Sequence, residues 1–417
     1  MEIQRDVYLN KLIRKEKNGL IKVITGIRRC GKSYLLFTLF HKHLTENGVD
    51  EEHIIEIALD DRFNKELRDP DRMLAFVREK IKDQQTYYIL LDEIQLLGEF
   101  EDVLNSFLHI KNADVYVTGS NSKFLSSDII TEFRGRGDEI RVYPLSFREY
   151  MSVYNGSVEE GWDDYFNYGG LPLTFMYDTP EDKADYLISL FNKVYLSDIV
   201  DRHKIRNAEE LDELVNVLSS GVGSLTNPTR LAKTFKSVKN KVISDKTLKN
   251  YLDYLQDAFL ISKAVRFDIK GKKYINSPAK YYFEDVGLRN ARLNFRQTEE
   301  NHIMENILYN ELRIRGYHVD VGVVEVFGKN SENKTTKKQY EVDFIATKGS
   351  EKIYIQSAFS ISNADKWQQE QNSLIHINDS FKKIIVVRDS RKPRHNEYGI
   401  VTVGIHNFLL DGFDLGV

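Results

Sequence analysis

Apolar residues in this chain fall first into short, β-branched runs separated by stretches of helical periodicity. Leu20–Thr25 (LIKVIT), His53–Ala58 (HIIEIA), Tyr87–Leu91 (YYILL), Asp114–Thr118 (DVYVT) and Glu139–Tyr143 (EIRVY) read as strands. The unbroken run Tyr87–Leu91 is the pattern of a strand covered on both faces of a parallel sheet. Tyr34–His43 (YLLFTLFHKH) and Pro70–Ile81 read as helices. Strands alternating with helices through right-handed crossovers predict a three-layer α/β module over residues 1–150.

The pattern then changes. Residues 151–205 read as a helical lid or linker, broken at Gly169-Gly170-Leu171-Pro172. Glu209–Ser219 is amphipathic, with Leu211, Leu214, Val215 and Leu218 on one face. Asn227-Pro228 caps a helix through Phe235, and Ser244-Asp245 caps another over Lys246–Asp257. Strand-like runs follow at Leu260–Phe267 and Lys272–Ile275. That order spells a winged helix-turn-helix over residues 206–285. In residues 286–417, the helix His302–Arg315 carries Glu305. Strands are expected at His318–Val326, Tyr340–Ala346 (with Asp343) and Lys352–Ala358 (with Gln356). A helix near Trp367–Leu374 and strands Lys383–Val387 and Ile400–Val403 complete a second α/β region, and Gly328–Lys338 is a polar connection.

Residues Gly26, Ile27, Arg28, Arg29, Cys30, Gly31, Lys32 and Ser33 match G-x-x-x-x-G-K-[ST] without a gap, between a strand and a helix. The glycines let backbone N–H groups turn toward a phosphate chain, and the helix N-terminus adds its dipole. Lys32 would reach the β/γ-phosphates and Ser33 would hold Mg²⁺. Asp92, at the tip of a buried strand, is assigned to Mg²⁺, and Glu93 to the general base. Ser120 or Asn121, at the next strand tip, would orient the lytic water. Arg134 and Arg136, on a glycine-flanked turn, either stabilise transition-state charge, in cis or in a neighbour's site, or form a solvated basic turn. Arg202, Lys204 and Arg206 follow a helix, where a solvated end outweighs a second sensor role.

The chain has 417 residues, 41% hydrophobic and 29% charged, with a net charge of −4. That balance shows no global sign of nucleic-acid binding, so any such site must be local. No apolar run approaches the roughly 20 residues that span a bilayer, and the N-terminus lacks the apolar segment of a signal peptide. The single cysteine, Cys30, excludes an internal disulfide and fits a reducing cytoplasm, with space-filling its simplest role. Between Arg230 and Lys249, seven basic residues face one acid, Asp245, a surplus of +6. Lys246, Thr247, Lys249 and Asn250 lie early on the expected recognition helix, where base edges are read. Contact with DNA is the expectation, against a protein-docking or lid role for the same module.

The motifs GIRRCGKS, LLDEIQ, VTGSNSKFLSS, FRGRG and YPLSFREY occur in that order. They continue through Tyr168–Pro172, Tyr195–Val200 and Lys280–Asp285. Together they resemble AAA-type ATPases of bacteria and archaea that carry a C-terminal domain of unknown function, along essentially the whole chain. The resemblance implies an ATPase fold of the additional-strand, catalytic-glutamate type, using ATP and Mg²⁺. Cys30 departs from the small aliphatic residue expected in that loop.

The order Glu305 on a helix, Asp343 on a strand and Gln356 on the next resembles the restriction-endonuclease-like fold. Active members use an aspartate and a following E-x-K or Q-x-K to bind Mg²⁺, with the lysine stabilising the attacking hydroxide. Here Gln356-Ser357-Ala358 puts alanine at the lysine position. A displaced Lys348, Lys352 or Lys366 would have to compensate, so a degenerate, inactive site is expected. The leading expectation is a cytoplasmic, Mg²⁺-dependent ATPase that drives a winged-helix and nuclease-like module on DNA. The alternatives are a slow nucleotide-gated regulatory or defence switch acting through a protein partner, and an ATP-dependent nuclease. Arginines acting in trans would require a homo-oligomer.

Overall fold

The structure, a computed structural model, describes residues 2–120, 136–239, 241–296, 299–329, 335–360, 364–389 and 391–410. The chain divides into two units, residues 1–145 with 257–259, and residues 146–256 with 260–417.

In the first unit, strands β1 (Ile21–Thr25), β2 (Ile54–Ala58), β3 (Tyr87–Asp92), β4 (Ala113–Gly119) and β5 (Gly137–Arg141) form one sheet in the order β2-β3-β4-β1-β5. Every pairing is parallel. β1 and β3 are buried along their whole length, as their apolar runs require of central strands. Alternate residues serve opposite layers. Ile21, Val23, Ile57, Ile89, Leu91 and Val117 pack with Met73 and Val77 of α3 (Pro70–Lys80) and with Leu104 and Phe107 of α4 (Phe100–Phe107). On the other face Tyr116 meets Phe40 of α2, a helix that runs from Lys32 to Glu46 with Leu35–Phe40 wound as a π-helix. The same face buries Lys22, paired with Asp114, which also accepts from Tyr116 Oη at 2.8 Å. α1 (Asp6–Ile13) precedes β1. β5 starts two residues before its expected position, and Val142 N–H still donates to Thr25 O at 2.7 Å.

The second unit opens on a capping box, Ser146 with Glu149, at the head of α5 (Phe147–Met151). A second box, Ser157 with Glu160, starts α6 (Val158–Tyr168). α6 stops at Gly169, φ 73°, where an added Cβ would stand 2.3 Å from Asp285 Oδ1. Asp285 caps α11 (Val286–Arg292) by accepting from Leu288 N–H at 3.0 Å, and also accepts from Gly170 N–H at 2.7 Å. The break at Gly169–Pro172 and the acidic pair Glu284-Asp285 are therefore two sides of one junction. Between them come α7 (running from Pro180 to Arg202), α8 (Ala208–Ser220), α9 (Pro228–Lys239), α10 (Asp245–Asp257), β6 (Ile261–Asp268) and β7 (Lys273–Phe283).

After α12 (Glu300–Ile314), strands β8 (His318–Lys329), β9 (Thr335–Lys348) and β10 (Glu351–Ala358) pair antiparallel in sequence. α13 (Ala364–Ile375) then crosses to β11 (Lys382–Val387), which lies parallel to β10. β12 (Arg394–His395) and β13 (Val401–Gly404) close the eight-stranded order β12-β13-β11-β10-β9-β8-β6-β7, and α14 (Ile405–Leu410) follows. The sequence assigned β6 and β7 to a unit ending at residue 285. In the structure β7 runs on to Phe283, and β6 pairs in parallel with β8, Arg266 opposite Val321. One sheet therefore joins strands from both sides of residue 285. Local pattern does not reveal this, because a strand's partner is chosen by pairing across tens of residues.

Candidate functional site

β1 delivers the chain to Gly26 at the C-terminal edge of the first sheet. Gly26, Arg29 and Gly31 take positive φ (146°, 63° and 97°) before α2 begins at Lys32. Gly26 admits no side chain, since a Cβ there would stand 2.1 Å from the Val142 carbonyl oxygen. A glycine loop leading into a helix N-terminus presents free N–H groups and a positive dipole end to an anion. Ile27 and Cys30 are buried beneath the loop, Arg28 is half-buried and Arg29 exposed. Arg5 braces the loop from below, donating to Cys30 O at 2.9 Å and Tyr143 O at 2.7 Å. Cys30 is thus fully enclosed, as a space-filling residue would be. Lys32 Nζ folds onto the loop and donates to Gly26 O at 3.0 Å and Ile27 O at 3.1 Å.

Ser33 Oγ donates to Asp92 Oδ2 at 2.7 Å, and Thr118 donates to the other oxygen, Oδ1. Burial raises the Asp92 carboxyl above the ordinary carboxylate range, and these two hydroxyl bonds oppose it. A hydroxyl beside a carboxylate is the hard oxygen set that Mg²⁺ takes, so Ser33 and Asp92 fit the expected ion. Glu93 follows with φ 53°, uncommon for a residue with a side chain. Its carboxylate accepts from Ser120 Oγ at 3.2 Å and from Gln95 Nε2. Its N–H donates to Thr118 Oγ1 at 3.1 Å.

Thr118 and Gln95 were not anticipated from the sequence. Parallel register held the signal for Thr118: Leu91 pairs with Val117, so the next residue on each strand, Asp92 and Thr118, share the sheet edge. Of the alternatives open for Arg136, its position bears on the one in cis. Ile21 N–H donates to Arg136 O at 3.0 Å, so Arg136 lies exposed at the N-terminal edge of the sheet. The phosphate loop leaves the opposite edge, roughly 13 Å away along β1 at about 3.3 Å per residue. Arg136 therefore does not serve the loop of its own chain. Arg134 and Asn121 lie outside the described residues.

In the second unit, Lys246 and Lys249 are exposed on the first turns of α10, with Thr247 and Asn250 half-buried. Thr247 is engaged in capping, its N–H donating to Ser244 Oγ at 3.0 Å. Lys249 pairs with Asp253 at 3.1 Å, and Lys241 with Glu209 at 2.9 Å.

Glu305 and Asp343 do come together, around a residue the sequence reading did not select. Lys280 Nζ on β7 lies 2.8 Å from Glu305 Oε1, 2.8 Å from Glu341 Oε1 and 3.6 Å from Asp343 Oδ1. Tyr282 Oη donates to Glu305 Oε1 at 2.6 Å. Burial opposes the charge on Lys280, yet the three carboxylates more than offset it and raise its pKa. Burial, and then the Glu305 charge, push Asp343 up to about 8. Gln356 turns its side chain toward α13 while touching only the backbone of Asp343: its Oε1 accepts from Asp343 N–H at 3.4 Å and from Ser373 Oγ at 3.3 Å, and its Nε2 donates to Glu370 at 3.2 Å. Of the displaced lysines considered, Lys348 donates to Arg315 O at 3.0 Å and Lys352 lies over the Phe381 ring. The Lys366 side chain is outside the described residues. The overlooked signal was a lone charge, Lys280, inside the buried run Ala279–Phe283, since a buried ammonium must be paired.

No helix among the described residues is long and apolar enough to cross a membrane. A family model described as an AAA domain matches residues 18–151, and a domain of unknown function (DUF8612) matches residues 159–299. An uncharacterized protein of Haemophilus influenzae is 34% identical over 390 residues, 92% of this chain and 93% of its own. The uncharacterized protein MJ1544 of Methanocaldococcus jannaschii is 30% identical over 380 residues, 87% of this chain and 79% of its own. The Aeropyrum pernix Orc1 protein in complex with DNA shares 12% identity, covering 73% of this chain and 94% of that one with a TM-score of 0.29, too loose a likeness to bear on function.

Proposed function

This chain belongs to the same family as the Haemophilus influenzae and Methanocaldococcus jannaschii proteins and carries an AAA domain, and we propose that it is a Mg²⁺-dependent ATPase. The observation that carries this reading is the 2.7 Å bond from Ser33 to Asp92, which brings the loop's hydroxyl onto the carboxylate that ends β3. Residues Gly26–Ser33 wrap the phosphates, and Lys32 exchanges its two carbonyl partners for phosphate oxygens. Ser33 and Asp92 would hold Mg²⁺, which when bound would supply charge neutralisation for the terminal phosphates. Glu93 takes the proton of a water whose oxygen attacks the terminal phosphorus, and the bond to the bridging oxygen breaks. Ser120 and Thr118 set the orientation of Glu93. Steady-state ATP turnover with and without Mg²⁺ tests the reading. Glu93→Gln should bind ATP and fail to hydrolyse it, and normal turnover in that variant would refute the role of the base.

The output of the switch is DNA. Exposed Arg230, Lys233, Lys236, Lys246 and Lys249 on α9 and α10 support a contact of this helix pair with phosphates. The partial neutralisation of that patch by Asp253 and Glu209 is what favours the second reading, a switch acting through a protein partner. ATP turnover measured with and without duplex DNA separates the two, because only the first predicts a salt-sensitive stimulation. The arginine turn at Arg134 and Arg136 is left for a neighbouring subunit's site, which a mass measurement in ATP tests.

A further inference from the structure

The outer half of the β8–β9 hairpin stands clear of the sheet to which it belongs. β6 pairs with β8 as far as Asp268 opposite Val323, and β10 pairs with β9 as far as Ile355 opposite Phe344. Beyond those points, among the described residues, β8 and β9 pair only with each other, from Val324 opposite Tyr340 to Lys329 opposite Thr335. At about 3.4 Å per residue this two-stranded ribbon is about 17 Å long. We propose that the ribbon enters the major groove of duplex DNA, with Phe327 and Lys337 directed at base edges and the lysines around them at phosphates.

The root of the ribbon is fixed, and its outer end is not packed. Val324 is buried in the apolar cluster beside α13, Val326 and Tyr340 pack against that cluster, and the Tyr340 ring stacks on His376 at 5.0 Å. Farther out the core gains nothing: Phe327 is 65% exposed, and residues 335–339 are all exposed. A two-stranded hairpin without a covered face is marginal in water, so core packing does not account for the extension.

The charges decide which partner fits. Over residues 270–274, 325–328 and 335–340 five lysines are exposed (Lys270, Lys272, Lys273, Lys337 and Lys338). Glu325 is the one acid in those stretches, which leaves a surplus of +4 on a chain whose net charge is −4. Two hairpins supply the lysines. Ile269 N–H donates to Val323 O at 3.0 Å, so the β6–β7 turn lies beside the root of the ribbon. Lys337 pairs with Glu325 at 2.6 Å, and the charge of Lys273 also acts on that carboxylate. Residues opposite one another in an antiparallel pair share a face, which puts Phe327, Lys337, Glu325 and Gln339 together. The other face carries Lys338, its Nζ 4.7 Å from the centre of the Tyr340 ring.

A B-form major groove, about 12 Å wide and 8.5 Å deep, admits a two-stranded ribbon. With strands about 4.8 Å apart, this one fits with one face to the bases and its lysines reaching the phosphate walls. On the inward face Phe327 meets thymine methyl groups and Lys337 meets the O6 and N7 of guanine. Glu325 is offset from within the ribbon by Lys337 and by Gln339, whose Nε2 donates to it at 2.8 Å. Lys270, Lys272 and Lys273 follow the backbone beside it. Single strands are held on successive aromatic platforms, and among the described residues this face carries one ring. Duplex RNA closes its major groove to side chains. Duplex DNA is therefore the partner.

This inference rests on the DNA reading given above and concerns a surface other than α9 and α10. The test uses the full chain and a fluorescent duplex, with affinity followed against salt by anisotropy. Lys272→Gln with Lys273→Gln should flatten the slope of log affinity against log salt by about 1–2, as about 0.9 per lost phosphate contact requires. Phe327→Ala should weaken binding on the order of 10-fold and leave that slope unchanged, because an apolar contact releases no counter-ions. Both variants should melt as wild type does, since neither removes a packed side chain. Glucosylated hydroxymethylcytosine, which fills the major groove, should remove the part of the affinity that depends on Phe327, and netropsin, which fills the minor groove, should not. Wild-type affinity and slope in these variants, with binding that still depends on Lys246 and Lys249, overturn the ribbon and leave the DNA reading standing. Protein that binds no DNA removes both. Equal affinity for single strands or duplex RNA overturns the groove assignment, and displacement of DNA by poly-glutamate at equal charge overturns it in favour of an acidic protein.

Discussion

Thr118→Val offers the sharpest test of the ATP site, because valine keeps the shape and removes one hydroxyl. That hydroxyl donates to Asp92 and accepts the Glu93 N–H at 3.1 Å. Hydrogen bonds to charged groups contribute about 1.5–3 kcal/mol, and an orphaned backbone N–H costs about 1–3 kcal/mol more when buried. Glu93 is only half-buried, so the lower end of the second range applies. If about 1.4–2.8 kcal/mol of this is felt at the transition state, ATP turnover falls about 10- to 100-fold. Nucleotide affinity should change little, since Lys32 and the loop amides are untouched. Thr118→Ser restores the hydroxyl and should restore most of the rate. Both hydroxyl bonds hold the Asp92 carboxyl down against burial, so losing one raises it further. A coupled ATPase assay for kcat and KM, with a fluorescent nucleotide for affinity, reads both effects. Turnover within twofold of wild type, or a serine variant as impaired as the valine one, would refute the role given to Thr118.

Three further outcomes follow from geometry. Gly26→Ala forces a Cβ to 2.1 Å from the Val142 oxygen at a φ of 146°, so nucleotide binding should be lost and the melting temperature lowered, with about 1–3 kcal/mol or more of stability gone. Lys246→Gln with Lys249→Gln should weaken DNA binding and flatten the slope of log affinity against log salt by about 1–2, as about 0.9 per lost phosphate contact requires. A slope unchanged in filter binding would count against this surface. Asp285 is pushed up to about 6, first by burial, from an ordinary value of 3.8, so the folded state holds its proton more tightly than the unfolded chain. Its contribution to stability is therefore largest below about pH 4 and declines as pH rises toward 6, by on the order of 3 kcal/mol. Urea melts of Asp285→Asn against wild type across that range should show the difference vanish at low pH, and a difference that grows at low pH would reverse the sign of the argument.

Much of the first unit is legible along the chain because its determinants are local. The eight residues Gly26–Ser33 are contiguous, and β1 and β3 carry apolar runs that only a doubly covered strand tolerates. The pair Asp92-Glu93 follows such a strand directly, so the carboxylates mark the sheet edge before any coordinate is known. Helix starts at Pro70, Pro228 and Asp245 were visible for the same reason, since caps act within one turn.

What the sequence by itself determined is therefore the set of elements and the chemistry that sits inside one loop or at one strand tip. Tertiary structure alone decided which distant residues share a face. Register across parallel strands put Thr118 beside Asp92, and the direction of β5 left Arg136 at the N-terminal edge of the sheet. Pairing of β6 with β8 drew the hairpin into the C-terminal sheet, and with it carried Lys280 to Glu305 and Asp343. Those residues are separated by tens of positions that have no local interaction with one another. Periodicity within a strand says which side chains share its face, whereas only the closure of long loops and the choice of partner strand say what that face will meet.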